Sequence, residues 1–306
     1  VMEVKENYYL GIDVGGTDIK YAVVSDKDCI IHSNSFPTDK TSEKSFLIQI
    51  ENIVNDVRKD YLISKIGMGI PGNVSTKKGI VEFSANLPFR NTNVAGYLSE
   101  RLGMNVKIAK DSNCAAIAQI TSEAVKHYEN IIVMTLGTGI GGGLILNRKL
   151  YTGRDEKGGE IGHIITHANG IKCNCGQYGC FEKYASVSAL VNNVKEYILE
   201  NPNSILANVG TKEINGKTPF IAMEQGCDIA KKVIDNWVNE LAIGINSLDM
   251  IFSPDVFVLS GAIIKDGDKF IPALKDKCRN KNIIKSEMGS KAGVLGAAML
   301  QYKELI

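Results

Sequence analysis

Apolar residues in the first part of the chain form short runs that are separated by polar and glycine-rich turns. The runs "YYLGIDV" (8–14), "IKYAVVS" (19–25) and "CIIHSNSF" (29–36) predict three strands in a meander, because each is short and bounded by turn residues. Residues 42–62 instead place their apolar side chains at helical spacing, so we predict a helix there.

The alternation of strand and helix patterns continues further along the chain. It predicts a strand in "SKIGMGI", a short helix in "NVAGYLSERLG", a strand in "NVKIAKD" and a helix in "SNCAAIAQITSEAVKH" (112–127). Gly103 is placed to end the short helix, and Asp111 or Ser112 is placed to cap the last one. This alternation is typical of an α/β protein with mixed sheets.

One supersecondary pattern occurs twice. Residues 130–150 repeat the order seen at 8–28: an apolar strand, a turn of Gly and Thr, and a second apolar strand. The spacing is too large for a solenoid and predicts two similar domains. We expect a first domain of residues 1–118 with 290–306, and a second of residues 119–289. Its elements include helices at 186–199 and 222–250 and a strand at 255–261, and a closing helix follows at 292–305.

Composition and charge narrow the possible partners. The 306 residues are 44% apolar, and 35 Lys and Arg against 34 Asp and Glu give a net charge of +1. This balance gives no electrostatic reason to expect nucleic acid or a membrane as partner. Without a charged leader or an apolar run near ~18 residues, we expect a cytoplasmic protein with reduced thiols.

Two glycine turns are candidates for binding phosphate. "DVGGT" (13–17) and "LGTGIGGG" (136–143) each follow a predicted buried strand, and backbone N–H groups in such turns form anion sites. Either turn alone could be a simple hairpin, but two in matching positions favour the two sides of one polyphosphate. Residues 137–142 also match G-x-G-x-x-G, but a strand rather than a helix follows, which argues against a dinucleotide site.

A metal site is predicted in "GGEIGHIITHANGIKCNCGQYGCFEK". This window holds three of the seven cysteines and two of the four histidines. Cys173, Cys175 and Cys180 with one histidine form a Cys₃His set, which is typical of structural zinc. Free thiols are the alternative, and composition does not choose between His163 and His167 as the fourth ligand.

Three carboxylates are candidates for chemistry. Glu160 and Glu182 flank the cysteine window, where a metal-ordered loop would fix them as acceptors for sugar hydroxyls; the alternative is two surface charges. Asp111 follows a predicted strand and starts a predicted helix. It is either a helix cap or a general base that accepts a proton from a hydroxyl attacking a phosphoryl group.

These motifs together resemble the ROK family of sugar kinases and sugar-responsive repressors. The resemblance rests on "GIDVGGTDIK", "GIPG", "ANLP", "KDSNCAA", "LGTGIGGG" and "GGEIGH…CNCGQYGCFEKYAS", which run in family order from residue 11 to 186, and on "FVLSGAI" (257–263). It implies an actin-like ATPase (ribonuclease H-like) fold with two domains, each a mixed sheet with flanking helices. It also implies a cleft that takes ATP and a sugar.

The resemblance implies a role for individual residues. Asp111 matches the catalytic base, and Asp13 matches an outer-sphere partner of Mg²⁺. His163 matches the histidine of a structural zinc site, with Cys173, Cys175 and Cys180. The implied sugar-binding residues are Asn86, Lys110, Asp111, Glu160, His163 and Glu182, and the implied ATP-binding residues are Asp13, Gly15, Gly16, Thr17, Lys20, Gly137, Thr138, Gly139 and Gly261.

One residue departs from the family pattern. The family usually has Asn directly before its catalytic Asp, where this chain has Lys110. A lysine only donates hydrogen bonds, and a cation beside Asp111 favours the charged carboxylate and makes it a weaker base. This departure bears on substrate identity more than on reaction type.

The leading hypothesis is a kinase that uses ATP and Mg²⁺ to phosphorylate a hexose, most simply a glucokinase. Kinases for N-acetylmannosamine, fructose, allose or a β-glucoside are the alternatives within the class. A sugar-sensing repressor is disfavoured because the first predicted strand begins near residue 8, and a dehydrogenase is disfavoured by the strand after residue 142. The resemblance also implies a homodimer.

Overall fold

The computed structural model describes residues 7–209 and 213–303. In the first part of the chain the predicted strands and helices are present in the predicted order. The elements are β1 (Tyr8–Val14), β2 (Asp18–Ser25), β3 (Ile30–Pro37), α1 (Glu43–Val57), β4 (Ile63–Ile70), β5 (Asn73–Ser75), β6 (Ile80–Phe83), β7 (Arg90–Thr92), α2 (Val94–Leu102), β8 (Asn105–Lys110) and α3 (Asp111–Gln119). Three short strands that were not predicted from the sequence, β5 to β7, lie between β4 and α2.

The rest of the chain begins with strands and then becomes mainly helical. Its elements are β9 (Ile131–Leu136), β10 (Ile140–Leu146), β11 (Lys149–Tyr151), α4 (Glu182–Ala185), α5 (Val187–Glu200), α6 (Ile205–Val209), α7 (Thr218–Glu224), α8 (Asp228–Phe252), β12 (Val256–Ser260), α9 (Ile271–Lys277), β13 (Ile283–Lys285) and α10 (Ala292–Met299).

The predicted repeat is present as two sheets with matching strand order. The first sheet has the order β3-β2-β1-β4-β8 and the second β11-β10-β9-β12-β13. In the first, β1 is antiparallel to β2 and parallel to β4; in the second, β9 is parallel to β12, which is parallel to β13. Strands β5, β6 and β7 form a separate small sheet. The prediction of an α/β fold with mixed sheets is therefore confirmed.

By internal packing the chain forms two compact units. The first comprises the described residues up to His127, Gly143–Gly159 and the described residues from Ser290; the second comprises Tyr128–Gly142 and Glu160–Gly289. The domain boundaries expected from the sequence, at 118 and 290, stay a prediction.

Within the first unit, strand order decides which residues meet. Strands β1, β4 and β8 are parallel neighbours, with Asp13 opposite Gly69 and Ile70 opposite Lys110. Because the carboxyl ends of parallel neighbours lie at one edge of a sheet, the end of β1 and the start of α3 are brought together.

Helix α10 packs directly on this first sheet because glycines leave room for its backbone. A Cβ at Gly11 on β1 would overlap the carbonyl of Val294, and one at Gly67 on β4 would overlap the carbonyl of Ala297. Gly296 makes the same close approach to the backbone of Cys114 on α3. The sheet, α3 and α10 are therefore packed backbone against backbone.

The structure corrects several predicted boundaries. Helix α1 ends at Val57 rather than 62, and α3 ends at Gln119 rather than 127. The helix predicted over 222–250 is two helices, because Gly226 adopts a positive φ of 83° between α7 and α8. Helix α10 ends at Met299, and the predicted extension to 305 lies partly outside the described residues. None of the helices in the described ranges is long and apolar enough to cross a membrane.

Candidate active site

Asp13 and Asp111 form an electrostatically coupled pair in the first unit. Asp13 is the penultimate residue of β1, and Asp111 is the first residue of α3. Burial, and after it the charge of Asp111, raise the pKa of Asp13 from its ordinary 3.8 to about 6, although Lys20, opposite Asp13 on β2, acts in the other direction. A buried carboxylate whose ionisation is disfavoured by a second carboxylate is a suitable place for a cation.

Asp111 is held at the start of its helix by the backbone. Its Oδ1 accepts a hydrogen bond from the Ser112 N–H at 2.7 Å, while the Ser112 hydroxyl is buried with no hydrogen-bond partner among the described residues. The sequence-based prediction that Asp111 or Ser112 caps α3 is wrong. Lys110 occupies the N-cap position, in extended conformation and without a side-chain capping bond.

The first glycine turn follows β1 and is fastened to the chain on both sides. Gly15 donates its N–H to the Asp18 carbonyl at 2.9 Å, which closes the turn. Thr38, which follows β3, binds the same turn through two hydrogen bonds. Its hydroxyl donates to the Gly15 carbonyl at 2.8 Å, and its N–H donates to the Thr17 carbonyl at 2.8 Å. The side chains of Thr17 and Lys20 are exposed, so they are accessible to a ligand. Asn86 is also exposed and lies beside Gly16.

The second glycine turn lies between β9 and β10 in the second unit. Gly137 donates its N–H to the Gly139 carbonyl at 3.0 Å, and the first residue of α5, Val187, donates to the Gly137 carbonyl at 2.9 Å. Thr138 at the tip is exposed. Gly261 comes directly after β12 with a φ of 105°, and a Cβ there would overlap the carbonyl of Leu136. The predicted adenosine-side glycine therefore lies beside the second glycine turn.

The predicted metal ligands converge. The ligand atoms of His163, Cys173, Cys175 and Cys180 all lie within 4.8 Å of one another. Cys175 Sγ and Cys180 Sγ are 3.5 Å apart, and Cys173 Sγ is 3.7 Å from His163 Nδ1. In tetrahedral zinc sites such ligand pairs are separated by roughly 3.5–4 Å, so the cluster fits zinc. His167, the other histidine of the window, is outside it.

The chemistry of the thiols also fits a cation. Burial and the neighbouring sulfurs raise the pKa of Cys180 to about 12, and burial raises that of Cys173. Without a metal these thiols hold their protons at neutral pH, whereas zinc binds thiolates and displaces the protons. Three sulfurs and one imidazole around a single point are the donor set of a closed structural site.

Glu182 connects the cysteine cluster with the second glycine turn. Its Oε1 accepts from Cys173 Sγ at 3.2 Å and lies 3.8 Å from His163 Nδ1. Its Oε2 accepts from the Ile140 N–H at 3.4 Å and occupies the space where a Cβ at Gly139 would be. Glu160 is exposed, at the start of the short 3₁₀ turn Ile161–His163.

Sequence reasoning missed some supporting residues. Thr38 braces the first glycine turn from a different strand end, and Gly293 on α10 contacts the Asp13 carboxylate so closely that any side chain there would displace it. Cys114 lies fully buried near both Asp13 and Asp111, whose charges help to raise its pKa. Gly293, a glycine within the apolar run of the last predicted helix, was the only sequence signal for these contacts.

Comparison with known proteins places these features in one family. A sequence model of the ROK family matches residues 9–304. The chain is 30% identical to the glucokinase of Streptomyces coelicolor over 95% of its own length and 96% of that protein. It is 26% identical to an N-acetyl-D-glucosamine kinase of Haemophilus influenzae, over 95% of the chain and 98% of that protein.

A solved structure gives the same result at the level of the fold. The ROK family glucokinase of Streptomyces griseus, determined with glucose and AMPPNP, superimposes with a TM-score of 0.81 at 28% identity, over 96% of this chain and 98% of that one. The paired sheets with their glycine turns therefore define an actin-like ATPase fold. The chain belongs to the ROK family.

Proposed function

We propose that the chain transfers the terminal phosphoryl group of ATP to the primary hydroxyl of a hexose, with glucose as the leading substrate. Its enzyme class is that of a sugar kinase, because its relatives over nearly the whole chain are sugar kinases. The AMPPNP in the Streptomyces griseus structure supports ATP as the phosphoryl donor.

The coupled Asp13–Asp111 pair carries this proposal. A helix cap needs no second carboxylate at its side, whereas phosphoryl transfer needs a base for the hydroxyl and a negative group for the metal. Asp111 is the proposed base for the hydroxyl, because its carboxylate stands at the amino end of α3, where the helix dipole favours its charged form. Asp13 is the proposed negative group for the metal.

The Mg²⁺ of such a reaction neutralises charge on the phosphates and on the leaving group. We assign Asp13 as its outer-sphere partner, since a cation relieves the cost of ionising a carboxylate that burial and Asp111 disfavour. The N–H groups and hydroxyls of the turns at Gly15–Thr17 and Gly137–Gly139 would bind phosphate oxygens. We assign Gly261, which lies beside the second turn, to the adenosine side of the site.

For the sugar we assign the residues that the resemblance implies, which are Asn86, Lys110, Asp111, Glu160, His163 and Glu182. Carboxylates that are fixed by a metal-bound loop hold oriented hydrogen bonds to hydroxyls. His163 offers Nδ1 to the cysteine cluster, so its other ring nitrogen is left for a hydroxyl. Structural Zn²⁺ thus orders part of the sugar site without taking part in proton transfer.

Lys110 bears on which sugar is phosphorylated. The lysine side chain only donates hydrogen bonds, whereas the Asn that is usual in the family both donates and accepts them. A sugar hydroxyl that donates a hydrogen bond to that Asn therefore finds no acceptor at Lys110. N-Acetylglucosamine, the substrate named for one relative, belongs in the test beside glucose and the alternatives N-acetylmannosamine, fructose, allose and a β-glucoside. The homodimer implied by the resemblance stays a prediction, to be tested by sedimentation.

The test is ADP release with ATP and Mg²⁺ over these sugars, with an Asp111→Asn variant alongside. Turnover should be greatest with one sugar and should fall about 1,000-fold in the variant, since a positioned base contributes 10²–10⁴-fold. Asp56→Asn, an exposed residue of α1 paired with Lys59, is the matched control and should keep full activity. Binding of glucose without turnover of any sugar would refute the kinase and favour a sugar sensor.

A further inference from the structure

His167 lies in the cysteine window but outside the metal cluster. Its ring stacks on Tyr184 with 3.8 Å between centroids and 18° between planes, and its Nδ1 lies 3.1 Å from the Thr166 hydroxyl. Its Nε2 points to the long helix α8 and lies 3.6 Å from Glu240 Oε2. The imidazole is therefore placed between an aromatic ring and a carboxylate.

Glu240 needs a cation in this position. Its Oε2 is buried and has no hydrogen-bond partner among the described residues, although the side chain as a whole is 25% exposed. Burial raises the pKa of Glu240, and the charge of His167 acts in the opposite direction. A buried carboxylate oxygen without a partner is costly, and the imidazole nitrogen of His167 at 3.6 Å is the polar group placed to offset that cost.

The backbone of His167 holds the cysteine loop together. Its N–H donates to the Gly179 carbonyl at 3.2 Å, directly before Cys180, and its carbonyl accepts from Gly170 at 3.2 Å. Tyr184 holds the other side of the loop, because its hydroxyl accepts from the Ile171 N–H at 2.7 Å. A movement of His167 and Tyr184 would therefore disturb hydrogen bonds at both ends of the segment that carries the cysteines.

We propose that His167, paired with Glu240 and stacked on Tyr184, is a clasp that fastens the cysteine loop to α8 and positions the proposed zinc ligands. Through Tyr184 the clasp also fixes α4, in which Glu182 lies two residues earlier. His167 is thus a positioning residue. By fixing α4 the clasp would hold Glu182 in place for sugar binding. This effect on sugar binding is the only part of the inference that rests on the proposed function.

The clasp is tested by the rate of zinc release to a chromogenic chelator. His167→Phe keeps the stacking surface and removes the ring nitrogen that faces Glu240; Glu240→Gln keeps the shape and removes the carboxylate charge. Both variants should release zinc several-fold faster than the unaltered protein.

His32→Phe is the matched control, because His32 also stacks on a tyrosine ring, Tyr61 at 5.6 Å and 21°, but lies in the first unit. Its zinc release should equal that of the unaltered protein. Equal rates of zinc release for Glu240→Gln and the unaltered protein would overturn the clasp.

Kinetics in zinc-saturated buffer separate the clasp from the proposed function. With the best hexose, both variants should raise the KM for sugar and keep kcat; a lower kcat with unchanged KM would overturn the positioning of α4. A failure of the unaltered protein to phosphorylate any sugar would refute the proposed function, whereas the zinc-release comparison would still decide the clasp.

Discussion

The two repeats share a strand order and differ in how their glycine turns are supported. In the first, the turn after β1 stands beside Asp13, which is coupled to Asp111. In the second, the corresponding penultimate residue of β9 is Thr135, and the carboxylate near the turn is Glu182, which comes from the cysteine window. One turn thus has its carboxylate built into the sheet, whereas the other receives it from the start of α4, at the end of the cysteine window.

This difference separates chemistry from positioning. A carboxylate at the end of a buried strand, such as Asp13, is costly to ionise and is typical of sites whose chemistry depends on charge. The position of Glu182 instead depends on what orders the cysteine window. We therefore expect changes in the first repeat to reduce kcat, and changes in the second to reduce stability and substrate affinity.

The largest expected effect is that of Asp13→Asn on catalysis. The neutral amide no longer attracts the hydrated Mg²⁺, so kcat should fall about 100-fold, as for the loss of one electrostatic group in an active site. Steady-state kinetics at saturating ATP and hexose measure it. A kcat within twofold of the unaltered enzyme would contradict the assignment of Asp13.

The same substitution should stabilise the metal-free protein. Because the pKa of Asp13 is raised to about 6 on folding, ionised Asp13 destabilises the fold, by up to about 3 kcal/mol above pH 6 and not at all below pH 4. Asp13→Asn should therefore raise the free energy of unfolding at pH 8 and leave it unchanged near pH 4. Urea titrations at both pH values measure the free energy of unfolding. An equal increase in the free energy of unfolding at pH 8 and at pH 4 would contradict the raised pKa of Asp13.

Loss of the metal site should lower the stability of the second repeat. Cys173→Ser removes one of the four ligands of the proposed zinc site, and we expect Tm to fall by about 5–10 °C. Calorimetry with and without a chelator measures it. Cys29→Ser, an exposed thiol in the first unit, is the control and should keep the unaltered Tm.

The smallest expected effect is that of Gly139→Ala. The new methyl group takes the space of Glu182 Oε2, so the carboxylate must leave the turn. We expect the KM values for ATP and hexose to rise together by about tenfold, since small displacements of positioning groups are costly. A rise for one substrate alone would show that Glu182 does not link the turn with the sugar site.

The repeat and its turns could be predicted from the sequence because local patterns determine them. The runs at β1, β2 and β3 are short, apolar and bounded by turn residues, and the same pattern recurs at β9 and β10. The convergence of the cysteines was predictable from their spacing in the chain. Asp13 and Asp111 are far apart in the sequence, so only the parallel order of β1, β4 and β8 explains their coupling.

What could not be predicted depends on tertiary contacts. The His167–Glu240 pair joins residues far apart in the chain, and nothing local to either residue indicates the other. The bond of Glu182 to Ile140 depends on where the cysteine window folds back. The break between α7 and α8 at Gly226 was missed because the apolar spacing continues on both sides of it.

The backbone contacts of α10 bear on how the protein is made. Gly11 and Gly67 lie in the first sheet, yet the backbone that fills the space above them comes from residues 292–299. During synthesis, strands β1 and β4 therefore keep one apolar face uncovered until residues 292–299 have been made. We expect the first unit to fold slowly, because the packing of its sheet depends on contacts between residues far apart in the chain.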